Sequence, residues 1–224
     1  TTPASTADTD NAGHGLGGVP DLIIMKPLVV ENWYVYHSAM GTGSVMRLDT
    51  DAAEQTGVTG LFSVVNSTTF RTNYTGTGSQ AFVAYCFKAI DGYSKFGSYI
   101  GNGSSIGPIV ETGFEPAFLM VKRTDSSGGW IMFDNKRNTT NPRDSRLEAN
   151  MPQQEQTGST SVLFDFYSNG FRAGGSNAEI NASGGKYAYI AFAEAPDTTA
   201  PTLADSFGVK LYTGDGASSK SITG

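Results

Sequence analysis

The string GVPDLIIMK at Gly18–Lys26 returns as GFEPAFLMVK at Gly113–Lys122, with Pro116 standing 96 residues after Pro20. A glycine, a proline, an apolar run and a closing lysine in that order constrain this chain more than any bulk property. Further matches follow in the same sequence. Trp33 answers to Trp130, Arg47-Leu48-Asp49 to Arg146-Leu147-Glu148, and the stretch ending at Arg71 to the one ending at Arg172. FVAYCF from Phe82 answers to YIAFAE from Tyr189, and FGSYIGNGSS from Phe96 to FGVKLYTGDGASS from Phe207. The separation grows to 107 between Phe82 and Tyr189, as a second copy with longer loops requires. Self-similarity of this kind is the signature of an array. Residues 1–14 read as a linker or processed end, 15–95 as a first β-sandwich repeat, 96–206 as a second, and 207–224 as the opening strand of a third. The first copy has no Tyr-x-Gly-[Asn/Asp]-Gly opener ahead of Gly15.

Within a copy the pattern is that of strands. LIIMK and FLMVK are short apolar runs entered from a proline, whose fixed φ suits the start of a strand. WYVYH and WIMFD follow a turn, and alternation puts Trp33, Val35 and His37 on one face with Tyr34 and Tyr36 on the other. SVLFDFYSNGFRAG reads as a hairpin turning at Ser168-Asn169-Gly170. KYAYIAFAEA is the last and most apolar strand. No stretch carries a 3.6-residue apolar period, and TDAAEQTG or EANMPQQEQ offers a short helical turn at most. Abundant glycine and aromatics with few charges agree with this. The expected fold is all-β: tandem antiparallel β-sandwich domains of jelly-roll or concanavalin-like form. Trp33 and Trp130, each following a turn at the same place in its copy, are expected to anchor the core.

Composition removes several functions. Net charge is −6 with no basic cluster, which argues against nucleic acid, since phosphate neutralisation supplies most of that affinity. No apolar run approaches the roughly twenty residues needed to span a bilayer, so membrane insertion is not expected. The first fourteen residues are polar and turn-forming and do not read as a secretory signal. Cys86, the one cysteine, lies in the apolar run AFVAYCFKA and reads as a small buried hydrophobe.

Candidate chemistry is sparse. A hydrolase needs a nucleophile with its base, or paired carboxylates. His14 lies in the polar leader. His37 ends a strand, and its counterpart in the second copy is Asp134, so a catalytic role for it is not expected. No metal site is expected. The run RLDTDAAE, with Asp49, Asp51 and Glu54, offers oxygen ligands that suit calcium, but it lacks the glycine and glutamate spacing of an EF-hand loop. A solvated loop with Arg47 pairing to Asp49 is the preferred reading. YTGTGSQ, YIGNGSS and YTGDGASS read as tight turns and not as phosphate loops, because none carries the Lys-Ser/Thr that completes one. Asn-x-Ser/Thr triplets begin at Asn66, Asn73, Asn102, Asn138 and Asn181, and are read as chance in a chain rich in these residues. No cofactor is expected.

The ordered strings Y-x-G-[ND]-G-x-S, G-[FV]-x-P-x-[FL]-[LI]-[MI]-[VM]-K, [NG]-W-x-[VM]-[YF], S-[ND]-G-F and Y-[IV]-A-[FY] resemble a tandem-repeat domain of tail-fibre and appendage proteins of tailed bacteriophages, marine and cyanobacterial ones especially. The resemblance covers most of both copies. It implies a non-enzymatic virion component exposed to the extracellular medium, with other virion proteins as partners. A fibre-like homo-oligomer, a trimer for example, and a part in host attachment are expected. The alternative is a lectin-like carbohydrate-binding adhesin. Tyrosine rings stack on apolar sugar faces, and the candidates for a bacterial surface glycan are Tyr34, Tyr36, Tyr74 and Tyr167. Tyr99 and Tyr212 share this pattern. A depolymerase ranks last, because no carboxylate pair recurs in both copies.

Overall fold

The computed structural model describes residues 11–72 and 81–194. Tyr74, Tyr212 and the whole third-copy opener lie outside them. The first half holds β1 (Asn11–Gly13), β2 (Leu22–Pro27), β3 (Tyr34–His37), β4 (Met46–Arg47), β5 (Thr69–Arg71) and β6 (Phe82–Phe87). The second holds β7 (Ser94–Ile100), β8 (Ile106–Glu111), β9 (Pro116–Arg123), β10 (Trp130–Asp134), β11 (Leu147–Glu148), β12 (Leu163–Tyr167), β13 (Gly170–Gly174), the one-turn helix α1 (Ala178–Asn181) and β14 (Lys186–Ala193). The fold is all-β and antiparallel throughout.

The two halves are built alike. The first has a sheet in the order β4-β3-β2-β6, and the second has β11-β10-β9-β14 in the corresponding order, extended by β7 beyond β14. Beneath each lies a smaller sheet, β1-β5 in the first half and β12-β13-β8 in the second. The bridge Val65↔Phe70 repeats as Phe166↔Phe171. The bond from the His14 amide to the Thr68 carbonyl repeats as Thr112 to Asn169. His14 therefore continues β1, which itself starts inside the stretch read as a linker.

Register corrects two of the sequence matches. Arg47 lies opposite Tyr34 as Glu148 lies opposite Ile131, so Arg47 corresponds to Glu148 and not to Arg146. Phe87 faces Leu22 as Phe192 faces Phe118, which makes Tyr187 the partner of Phe82 in place of Tyr189. Both slips are of two residues, the period at which a strand presents the same face.

Alternation then sorts side chains into three cores. One face of β2, β3 and β6, with Ile23, Met25, Tyr34 and Tyr36, packs on Leu61, Phe62 and Phe70. One face of β9, β10 and β14, with Leu119, Val121, Ile131, Phe133, Tyr187 and Tyr189, packs on Phe164, Phe166 and Phe171 of the smaller sheet. The remaining faces meet each other: Leu22, Val35 and Met46 of the first half pack with Phe96, Trp130, Ala188 and Ile190 of the second. The same side of each unit is used, and the equivalent rings Phe87 and Phe192 touch at 6.4 Å. All described residues accordingly fall in one compact unit. Covered on both faces, β14 carries an unbroken buried run from Tyr187 to Ala191, which is why it reads as the most apolar strand.

Trp130 anchors this seam at 2% exposure, and its indole N–H donates to the Arg47 carbonyl at 2.8 Å. Trp33 is only half-buried, contrary to the expectation that both tryptophans are core anchors. The seam covers the Leu22 end of β2 and leaves the Lys26 end, with Trp33, Val83 and Tyr85, open. The helix is a further departure. It forms at Ala178–Asn181, where the Asn177 side chain accepts the Glu179 amide at 2.8 Å. One turn is too short to leave a period in the sequence.

Candidate functional site

His37 is fully buried at the seam. Its Nδ1 accepts the Ala39 amide at 3.2 Å, so Nε2 carries the proton and donates to the Tyr189 carbonyl at 3.0 Å. Burial lowers its pKa from the ordinary value, against the opposing Tyr189 bond and the Asp21 charge. Asp134, its counterpart, accepts the Lys136 amide two residues on at 2.9 Å. His and Asp exchange here because the position needs a turn acceptor.

The repeated lysine has a comparable purpose. Lys26 Nζ donates to the carbonyls of Pro27, Val29 and Glu31 at 2.9, 2.8 and 3.0 Å, tying the following loop to the strand end. Lys122 Nζ donates to Arg123 O at 2.5 Å and reaches Asp51 O of the other half at 3.4 Å. Burial lowers Lys122 to about 8. The acidic run serves the same junction through its backbone: Asp51 O accepts the Gly128 amide at 2.9 Å, and the Glu54 amide donates to Thr124 O at 2.8 Å. Asp49 Oδ1 accepts the Trp33 amide at 3.2 Å. Asp49, Asp51 and Glu54 do not gather into a metal-holding group among the described residues. Arg47, expected to pair with Asp49, donates to Gln55 Oε1 at 2.8 Å.

The Tyr-x-Gly-Asn-Gly loop has its amides spent. Gly101 N donates to Gly185 O, Gly103 N to Asn181 O, and Asn102 N to Asn181 Oδ1 at 2.8 Å. Asn181 is fully buried, and its Nδ2 donates to Asn102 Oδ1, Ser104 O and Gly175 O. A Cβ at Gly101 would lie 2.3 Å from Ala182 O, so glycine is required by close approach. Asn66 and Asn138 likewise cap turns, accepting the Thr68 and Thr69 amides and the Asp144 and Ser145 amides respectively.

The tyrosine candidates divide. Tyr34 and Tyr36 are 1% and 4% exposed in the first core, with Tyr34 donating to Glu31 Oε2 at 3.0 Å. Their ring faces are packed on neighbours and not offered to a sugar. Tyr99 is buried as well, and donates to Ile180 O at 2.8 Å. Tyr167 is 39% exposed, beside Asp165, whose carboxylate binds Arg172 at 2.5 Å. Glu148 and Glu179 share Arg146, at 3.9 and 3.5 Å. Burial first, then the Glu179 charge, raises Glu148.

What sequence reasoning missed is a cavity of about 330 Å³ lined by Ala12, Gly13, His14, Phe70, Phe82, Ala84 and Cys86. It opens between β6 and β1. Cys86 is half-buried there with its thiol pKa raised by burial, close to the buried hydrophobe expected. Register explains the space. Phe82, Ala84 and Cys86 occupy the positions of Tyr187, Tyr189 and Ala191, so an alanine stands where the second half has a tyrosine. The second half also has β7 along this edge, where Tyr99 stacks on Tyr187 at 4.9 Å and meets Phe171 edge-on at 6.0 Å. Among the described residues no strand pairs with the outer side of β6. Beside it Val83 and Tyr85 are 43% and 51% exposed. The signal in the sequence was Ala84 itself.

A repeated, all-β antiparallel unit is the class of protein these features define. The chain belongs to the family of domains of unknown function DUF7483, which matches residues 2–196 and so takes both halves as one domain. No curated protein and no solved structure matches it.

Proposed function

We propose that this chain is a non-enzymatic structural component of a phage particle, as a tail fibre, appendage or capsid decoration, with a part in host attachment. The carrying observation is the seam: two like sandwiches meet over Leu22, Val35, Met46, Phe96, Trp130 and Ile190, and backbone bonds at Asp51 and Glu54 fasten the junction. Apolar burial of that kind turns two small units into one stiff spacer. The ordered motifs that resemble phage appendage domains point the same way. Immunogold labelling of purified particles, with antibodies against this chain, tests the reading. Label at the tail or on the shell is expected; particles that carry neither the label nor the chain by mass spectrometry would refute it.

Glycan binding is the second reading, supported by the exposed Tyr167 ring beside Asp165 and Arg172. Saturable binding to host-cell surface polysaccharide, lost on Tyr167→Ala, is the outcome it requires.

A further inference from the structure

We propose that the outer edge of β6, with the cavity beside it, accepts an opener-type strand donated by a second copy of this chain, through its Phe207–Gly214 stretch. The filled version of the site is present in the same molecule. Along β14, β7 pairs residue by residue, with Ile190 opposite Phe96, Tyr189 opposite Gly97 and Tyr187 opposite Tyr99. Gly97 is small because the Tyr189 ring occupies its place: a Cβ there would sit 2.6 Å from the Tyr189 hydroxyl oxygen. Transferred to β6, the same pairing sets Tyr212 beside Phe82; Phe207 stands five residues before it, against three from Phe96 to Tyr99, so Val209 comes beside Tyr85 and Phe207 beside Phe87. Tyr212 would enter the space lined by Ala12, Phe70 and Ala84, as Tyr99 enters between Tyr187 and Phe171.

An uncovered edge strand presents unpaired backbone groups along its length, and natural sheets protect such edges with charge, proline or a covering element. β6, Phe-Val-Ala-Tyr-Cys-Phe, has no charge and no proline. Its two outward side chains are apolar or aromatic, and Val83 and Tyr85 are far more exposed than their equivalents Ala188 and Ile190 at 2% and 4%. This is the surface that strand addition uses, with main-chain bonds for affinity and a pocket for register. The chain also carries a second sequence of the opener type. Phe207-Gly208 repeats Phe96-Gly97, and Tyr212-Thr213-Gly214-Asp215-Gly216 repeats Tyr99-Ile100-Gly101-Asn102-Gly103. The inference is independent of the virion reading.

Sedimentation velocity of the full chain over a wide concentration range, with and without a synthetic peptide spanning Phe207–Ser218, tests it. Concentration-dependent association that excess peptide reverses is expected, and a Tyr212→Ala peptide should fail to reverse it. Hydrogen exchange at Phe82–Phe87 should slow at least about tenfold in the associated chain, with β14 unchanged. Ala84→Trp, which fills the cavity from inside, should leave the chain folded and monomeric. A chain that stays monomeric at every concentration would overturn the proposal. So would association without protection at β6, or association indifferent to both the peptide and Ala84→Trp.

Discussion

Replacing Trp130 by Phe tests whether the seam holds the two halves together. The indole N–H donates to the Arg47 carbonyl at 2.8 Å from a side chain only 2% exposed. Without it that part-buried carbonyl loses the indole bond, at about 1–3 kcal/mol. The smaller ring leaves a void of roughly 40 Å³, which adds about 1 kcal/mol at about 24 cal/mol per Å³. The total of about 2–4 kcal/mol corresponds to a melting point lower by about 5–15 °C for a chain of this size. Trp33→Phe is the control. That ring is half-buried, and the bond at Trp33 comes from its main chain, so its loss should cost within about 1 kcal/mol. The assay is urea unfolding followed by far-UV circular dichroism and by fluorescence. With only two tryptophans in the chain, each variant reports from a single site, and Trp130 should emit to the blue of Trp33. Because the halves share a core, both probes should give one coincident transition. Equal losses for the two variants, or a first-half transition separate from the second, would refute the shared seam.

Other expectations concern protons and ions. The His37 pKa is lowered in the folded chain, so the unfolded chain binds more protons as pH falls; stability present above about pH 6.5 is lost below it, and His37→Asn should flatten that slope in pH-dependent melts. Lys122, lowered to about 8 from 10.5, gives the same sign in a different window: stability should rise from about pH 8 to about 10.5, and Lys122→Met should remove the rise. Millimolar calcium, or its removal by a chelator, should move the melting point by less than about 1 °C, since the side chains of Asp49, Asp51 and Glu54 do not gather into a metal site.

The strand content and the duplication were legible because apolar runs entered from Pro20 and Pro116 repeat in order. Register was not. A strand looks the same after a shift of two, so Arg-Leu-Asp matched Arg-Leu-Glu as a string while the ladders align Arg47 with Glu148. Facing was harder still. Alternation put Tyr34 and Tyr36 together on one side, but only the structure decides that this side is covered by Phe62 and Phe70. Exposure at Trp33 depends on how far one sheet extends past the other, a relation between elements that no local pattern encodes. The cavity is illegible for a similar reason: it is defined by the ring that Ala84 replaces and by an outer edge of β6 that no strand pairs with among the described residues. What the motifs do became clear only from their bonds, as with the lysine that ties loops and the buried Asn181 that holds the glycine-rich turn.

The meeting of like faces, Phe87 against Phe192, has a consequence for any longer chain built from this unit. A contact that joins identical patches is isologous and closes on itself. This one joins like sides but unlike patches: Ala188 and Ile190 are covered in it, while their equivalents Val83 and Tyr85 stay 43% and 51% exposed. The duplication therefore leaves the first half a bare patch where the second has a buried one, and a joint to a further unit could use that patch with the seam intact.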